Sequence, residues 1–176
     1  MPADIYSNYY ITTGYGGWSP CIEGNTNYGL QPFAGSVLPN CSGYATGRFN
    51  ELLGEGACTY LGSANGGDFM QFAAQQGLGT GSTPVVGAAI VWKNSGEGHV
   101  AIVEQIIDST TILTSESGWY WTQPPVWDYK TRYYNNGRWH SNSDYNFQGF
   151  IYPPGVPGEE DDDEYYYMMF MQRLKA

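Results

Sequence analysis

Positive charge is scarce in this sequence. Seven Lys and Arg stand against seventeen Asp and Glu, a formal net charge of −10. No stripe of basic residues exists to neutralise a phosphate backbone, so nucleic acid is excluded as a partner. Part of the imbalance is local, because "EEDDDE" from Glu159 to Glu164 supplies six of the acids and residues 1–158 hold eleven acids against five bases, a net of −6. Long apolar runs are also missing. The longest, "YYYMMFM" from Tyr165, falls far short of the roughly 20 residues a membrane helix needs, so no membrane insertion is expected. The opening "MPADIYSNYY" has no basic start followed by an apolar run and does not read as a secretory signal peptide. Cysteine and histidine are few, three and two, which confines thiol and imidazole chemistry to a handful of positions. The odd cysteine count leaves at least one thiol unpaired. Cys21 and Cys58 could pair and leave Cys41 free; each could equally be a free or buried thiol.

What the chain has instead is glycine and aromatic surface: 24 Gly, 16 Tyr and 6 Trp, with only 14% charged residues. That composition fits a loop-rich, β-containing fold rather than a helical bundle. At 176 residues the length suits one domain with a proper core. Residues 1–38 show no sustained period of 3.6 or 2 and read as irregular structure with short strands. From Asn40 to Leu53 the pattern becomes helical: Cys41, Ala45, Phe49 and Leu52, joined by Tyr44, share a face, and Gly54 closes it. A second helix is expected over about Asp68 to Gln76, capped by Asn65 or Asp68 and stopped by Gly77.

Strand signals follow. "VVGAAIVWK" (Val85 to Lys93), "HVAIVEQII" (His99 to Ile107) and "TILTSES" (Thr111 to Ser117) are rich in Val, Ile and Thr, and their short connections predict an antiparallel meander. "FQGFIYP", from Phe147, adds another strand before Pro153, Pro154 and Gly155. Helices first and a sheet afterwards is an α+β order, with the N-terminal helices packed on an antiparallel sheet. The reading divides the chain into a body at 1–154 and an acidic linker or tail at 155–176.

Cys41 is the residue with chemistry. A thiol in the first turn of a helix sits beside unpaired N–H groups and the positive end of the macrodipole, which favours the thiolate. Catalysis also needs a base, and a third group to hold that base in one tautomer. His99 opens a strand after the turn "NSGEG" and is preferred as base over His140, which lies in the polar stretch "GRWHSNSD". Glu116 ends the strand that pairs with the one carrying His99, so the turn near Asp108 to Thr110 brings it close; otherwise it is an exposed strand-end glutamate. The three together have the arrangement of papain-like cysteine hydrolases, with the Cys41 backbone N–H and Asn40 or Tyr28 as donors to an oxyanion.

"LPNCSGYATGRFNE", "GAAIVWKNSGEGHVAIVEQI", "ILTSESGW" and "FQGFIYP", in that order, resemble the CHAP family, the cysteine, histidine-dependent amidohydrolase/peptidase domain of phage and bacterial cell-wall lysins. The resemblance runs from about Tyr6 to Pro154. It implies a papain-like α+β fold, a nucleophile at Cys41, a base at His99, an acidic partner at Glu116 and hydrolysis of bacterial peptidoglycan. The bond cut would be either the N-acetylmuramoyl-L-alanine amide or a stem or cross-bridge peptide bond. Some relatives bind calcium through aspartates just before the nucleophile, but "NYGLQPFAGSVLPN" holds no carboxylate, so no metal and no cofactor are expected. Trp119, Trp121, Trp127 and Trp139 are candidates for substrate contact, with core packing the alternative for each. The acidic body suits an anionic wall poorly, which leaves room for a separate wall-binding module attached after Gly155. A phage-encoded or virion-associated origin follows from the resemblance. A wall-binding or virion module that keeps the fold without catalysis is the competing reading, and a peptidase acting on proteins is a third.

Overall fold

A computed structural model describes residues 40–54, 56–57, 59, 61, 65–118 and 127–158. Tyr28, Trp119, Trp121, Cys21, Cys58 and the acidic run lie outside them. Helix α1 spans Cys41–Leu53 and helix α2 spans Phe69–Gln75, the latter preceded by a 3-10 turn at Gly66–Asp68. Six strands follow: β1 (Thr80–Gly81), β2 (Ala89–Lys93), β3 (His99–Asp108), β4 (Thr111–Glu116), β5 (Asp128–Tyr133) and β6 (Asn146–Ile151). They form one sheet in the order β1-β6-β2-β3-β4-β5, every pairing antiparallel. The architecture is α+β, and β2, β3 and β4 make the expected meander.

The central strands are buried on both faces, so their alternate residues feed two cores. Ala89, Val91, Val100, Ile102 and Ile151 pack under Ala45 and Phe49 of α1 and Phe69 and Ala73 of α2. Ile90, Trp92, Ala101, Val103, Ile112 and Phe150 fill the opposite side with Trp139. Each Val, Ile or Phe among them contributes about 1.5–3 kcal/mol of burial, so these strands hold the frame. Leu52, read as part of the buried stripe of α1, is 41% exposed, because the helix is clamped to the sheet through its first ten residues and leans away in its last turn.

Several boundaries shift. Val85 to Ala88 turns before the regular strand begins: Gly87 has φ +86 and Ala88 N–H donates to the Val85 carbonyl, while Gly87 N–H and the Ala88 carbonyl already bond Val103. Neither Asn65 nor Asp68 caps α2 with its side chain; Asp68 instead takes an ion pair from Lys93. Strands β1 and β5 carry no expectation from the sequence. The chain stays packed past Pro154, with Val156 against the outer core and Gly158 buried beside Gly79.

Candidate active site

Three local devices aim three side chains at one end of the sheet. The first is the α1 cap: Asn40 is extended and its Oδ1 accepts the Ser42 N–H at 2.8 Å and the Gly43 N–H at 3.2 Å. This fixes Cys41 as the first helical residue, and its thiol is free. It also accounts for Asn40, whose amide oxygen is committed to the helix.

The second device is the turn into β3. Asn94 Oδ1 accepts the N–H groups of Gly96 and Gly98 at 2.8 and 2.9 Å. Gly98 has φ +69, and a Cβ there would lie 2.4 Å from the Trp92 carbonyl and 2.5 Å from Gly67 Cα. Only glycine meets both demands, and His99 follows it at the strand's first position.

The third is the register of β3 and β4. At the turn Asp108 faces Thr111, but the ladder shifts by one residue between Ile106 and Asp108 and again between Val103 and Gln105, so that Ile102 faces Ser115. An unshifted ladder would set Glu116 opposite Val103. The two bulges slide it to Ala101, two residues from His99 on the same face, within diagonal reach.

The result is a continuous chain of contacts. His99 Nε2 lies 2.7 Å from Glu116 Oε2, which leaves Nδ1 for the hydrogen bond between imidazole and Cys41 thiol. The sulfur also accepts from the Val100 backbone N–H and sits 3.9 Å from Ser42 Oγ. Burial pushes the Cys41 thiol up, but the hydrogen bond and charge of His99 outweigh it and its pKa is lowered. Burial pulls His99 down, and its bonds to Cys41 and Glu116 overcome this and raise it to about 9. Glu116, 1% exposed, would be pushed up by burial; the His99 hydrogen bond and the nearby cations hold it well below the usual carboxylate range. These directions favour the thiolate–imidazolium form of the pair and the ionised form of Glu116.

Residues the sequence reading did not single out complete the setting. Arg132 of β5, 7% exposed, donates from Nη2 to Glu116 Oε2 at 2.6 Å, and Lys130 Nζ lies 2.5 Å from Oε1. The Arg132 guanidinium lies 4.9 Å from the Trp92 ring centroid, and Trp92 stacks on His99 at 5.8 Å and 17°. His99, Glu116, Arg132 and Trp92 therefore form a closed ring of contacts. The signal for it was the alternation of Tyr129, Thr131 and Tyr133 with Lys130 and Arg132, a period of two.

His140 is half-buried rather than free on the surface. It stands edge-on to Trp92 at 5.5 Å, stacks on Tyr145 at 4.3 Å and accepts the Asn142 N–H at Nδ1. Burial, then the charges of Arg132 and His99, push it down to about 4. Trp139 is core, 2% exposed. Trp127 packs edge-on to Tyr129 beside the strand end that carries Glu116. Among the described residues no group of three or more His, Cys, Asp or Glu is arranged to hold a metal ion.

The family profile described as "CHAP domain" matches residues 31–118, a span that includes Cys41, His99 and Glu116. A curated protein of Streptococcus mutans serotype c named "Putative hydrolase" is 38% identical over 55 residues, 31% of this chain and 26% of its own length. Among solved structures, an N-acetylmuramoyl-L-alanine amidase from Staphylococcus aureus aligns at 19% identity with a TM-score of 0.43, covering 57% of this chain and 28% of its own. The chain thus spans about a quarter of the length of each.

Proposed function

The chain belongs to the CHAP domain family, and from that premise we propose that it is a cysteine-dependent peptidoglycan hydrolase. The observation that carries the proposal is the run of contacts from the Cys41 thiol through His99 to the buried Glu116. A thiolate at a helix N-terminus, paired with an imidazolium, is the reactive form of a cysteine nucleophile.

In this reading the Cys41 sulfur attacks the carbonyl carbon of a wall amide. Charge builds on the carbonyl oxygen, and the Cys41 backbone N–H, for which no acceptor is found among the described residues, is the donor that would meet it. The His99 imidazolium gives its proton to the departing amine, leaving a thioester on Cys41. Neutral His99 then takes a proton from water, hydroxide displaces the sulfur, and the carboxylic acid product leaves, losing its proton to solvent, with the thiolate–imidazolium pair restored. Glu116 stays ionised throughout, since Arg132 and Lys130 hold it so whether or not His99 is charged.

Release of soluble fragments from purified cell walls tests the reading. Cys41→Ala should abolish release, and EDTA should leave the wild-type rate unchanged. Fragments ending in new L-Ala amino groups would identify the N-acetylmuramoyl-L-alanine amide as the bond cut; other new amines would identify a stem or cross-bridge endopeptidase. We also read the chain beyond the packed Gly158 as the link to a wall-binding module, and the whole as a lysin acting on the wall after release from a phage-infected cell. No release by the intact protein from any wall, with binding retained, would favour the non-catalytic module.

A further inference from the structure

Beside the ring of contacts around His99 lies a cleft of about 540 Å³, a size that suits a short peptide or a sugar unit. Arg132, Asn135, Arg138, Trp139, His140 and Ser143 are among its lining residues, and no carboxylate is. In a chain with seventeen acids and seven bases, a cleft holding two of the bases and none of the acids is a local reversal of sign. It adjoins the reacting groups, because Arg132 bonds Glu116 and His140 touches the Trp92 ring that stacks on His99.

The two arginines differ. Arg132 is committed to Glu116. Arg138 makes no ion pair among the described residues; its Nη1 donates to the Ser143 carbonyl at 3.0 Å, which steadies the guanidinium and leaves its other N–H groups for a ligand. Its backbone is fixed too. Asn135 and Arg138 exchange backbone hydrogen bonds of 2.9 and 3.1 Å across a two-residue turn, with Asn136 at φ +49 and Gly137 at φ +76. That is the geometry of a type I′ hairpin turn, in which Asn-Gly is preferred. A half-buried guanidinium on a rigid turn, flanked by neutral donors, is built for a planar anion with two acceptor oxygens.

We propose that this cleft is a substrate subsite in which Arg138 binds a free carboxylate of the peptidoglycan stem peptide, the scissile amide then lying toward His99 and Cys41. The inference rests on the proposed hydrolase reading and adds which feature of the wall the site selects. Wall peptides bear their α-carboxylates either free or as primary amides, and the cleft distinguishes the two: an amide keeps the shape and loses the charge.

The test is calorimetric titration of the full chain carrying Cys41→Ala, which cannot consume its ligand, with a synthetic muramoyl stem peptide bearing a free α-carboxylate and with its amidated counterpart. The free acid is expected to bind roughly tenfold or more tightly, an Arg–carboxylate pair against a neutral contact. Adding Arg138→Gln should erase the difference, and Arg138→Lys should restore part of it; near-ultraviolet circular dichroism checks that each variant keeps its packing. Equal binding of acid and amide, no binding of either, or discrimination untouched by Arg138→Gln would each overturn the proposal. Preference for a glycerol-phosphate polymer over the peptide would also do so, by assigning the cleft to phosphate. Wall hydrolysis without this discrimination sinks the subsite alone, whereas discrimination without hydrolysis by the Cys41 protein sinks the hydrolase reading and leaves the cleft.

Discussion

His99 and Glu116 meet at 2.7 Å through Nε2 and Oε2, with the carboxylate 1% exposed. The carboxylate stabilises the charged imidazole and fixes which nitrogen faces the sulfur. Glu116→Gln removes the charge and keeps the size. His99, held at about 9 against an ordinary 6.5, should titrate lower in the variant. The alkaline limb of the wall-hydrolysis rate, which marks loss of the imidazolium proton, should then move to lower pH, and the maximal rate should fall on the order of 10²–10⁴-fold. A pH–rate profile read beside the His99 imidazole resonance checks both.

Arg132 predicts a shift of the opposite sign. Its guanidinium and the His99 ring bond the same oxygen of Glu116, so the carboxylate divides its charge between them. Arg132→Met gives the whole of that oxygen to His99 and removes a nearby positive charge. Both changes raise the His99 pKa, so the alkaline limb should move up. Arg132→Lys should return it toward the wild-type position. Because Glu116→Gln and Arg132→Met both loosen the same ring, a role in packing alone would move the two profiles the same way.

Cys41 can be tested without any substrate. Its ordinary pKa of 9.0 is lowered because His99 outweighs burial, so iodoacetamide should alkylate it with a half-maximal rate below that pH. In His99→Ala the burial is opposed only by the Ser42 and Val100 contacts, and the midpoint should rise above that of the wild type. Mass spectrometry of the peptide carrying Cys41 separates its alkylation from that of Cys21 and Cys58.

The parts of this site that the sequence made legible are those resting on strong local signals. Asn40 followed by the stripe through Tyr44, Ala45 and Phe49 marks a helix and its cap. The Val and Ile runs mark β2 and β3, and the short turn after Asp108 fixes their antiparallel sense with β4. The meeting of Glu116 with His99 was legible only in outline, since it depends on two bulges that leave no composition signature in "HVAIVEQIID". Strand β5 went unread because it is an edge strand, its charged residues mostly solvated and its one buried side chain an arginine. Arg132 reads as an exposed charge until the sheet is assembled around it. The expected caps of α2 failed because Asp68 is drawn to Lys93, a tertiary pairing that local rules do not contain.

The placement of the nucleophile depends on how α1 is fastened to β3. Arg48, 5% exposed, donates Nε to Glu104 Oε1 at 2.7 Å and Nη2 to Oε2 at 2.8 Å, while Ser115 Oγ also donates to Oε1 at 2.6 Å. Glu104 is the residue thrown out by the inner bulge of β3, so the shift that brings Glu116 toward His99 also supplies the anchor for the helix bearing Cys41. Arg48→Met strands a largely buried carboxylate and should cost roughly 3–5 kcal/mol of unfolding free energy. Arg48 Nη1 also pairs Glu51 at 2.7 Å, so Arg48→Met with Glu104→Gln leaves only Glu51 without its cation and should recover part of the loss. Urea unfolding of the single and double variants measures the coupling directly. A single variant as stable as wild type would mean that apolar packing of Tyr44, Ala45 and Phe49 alone seats the helix.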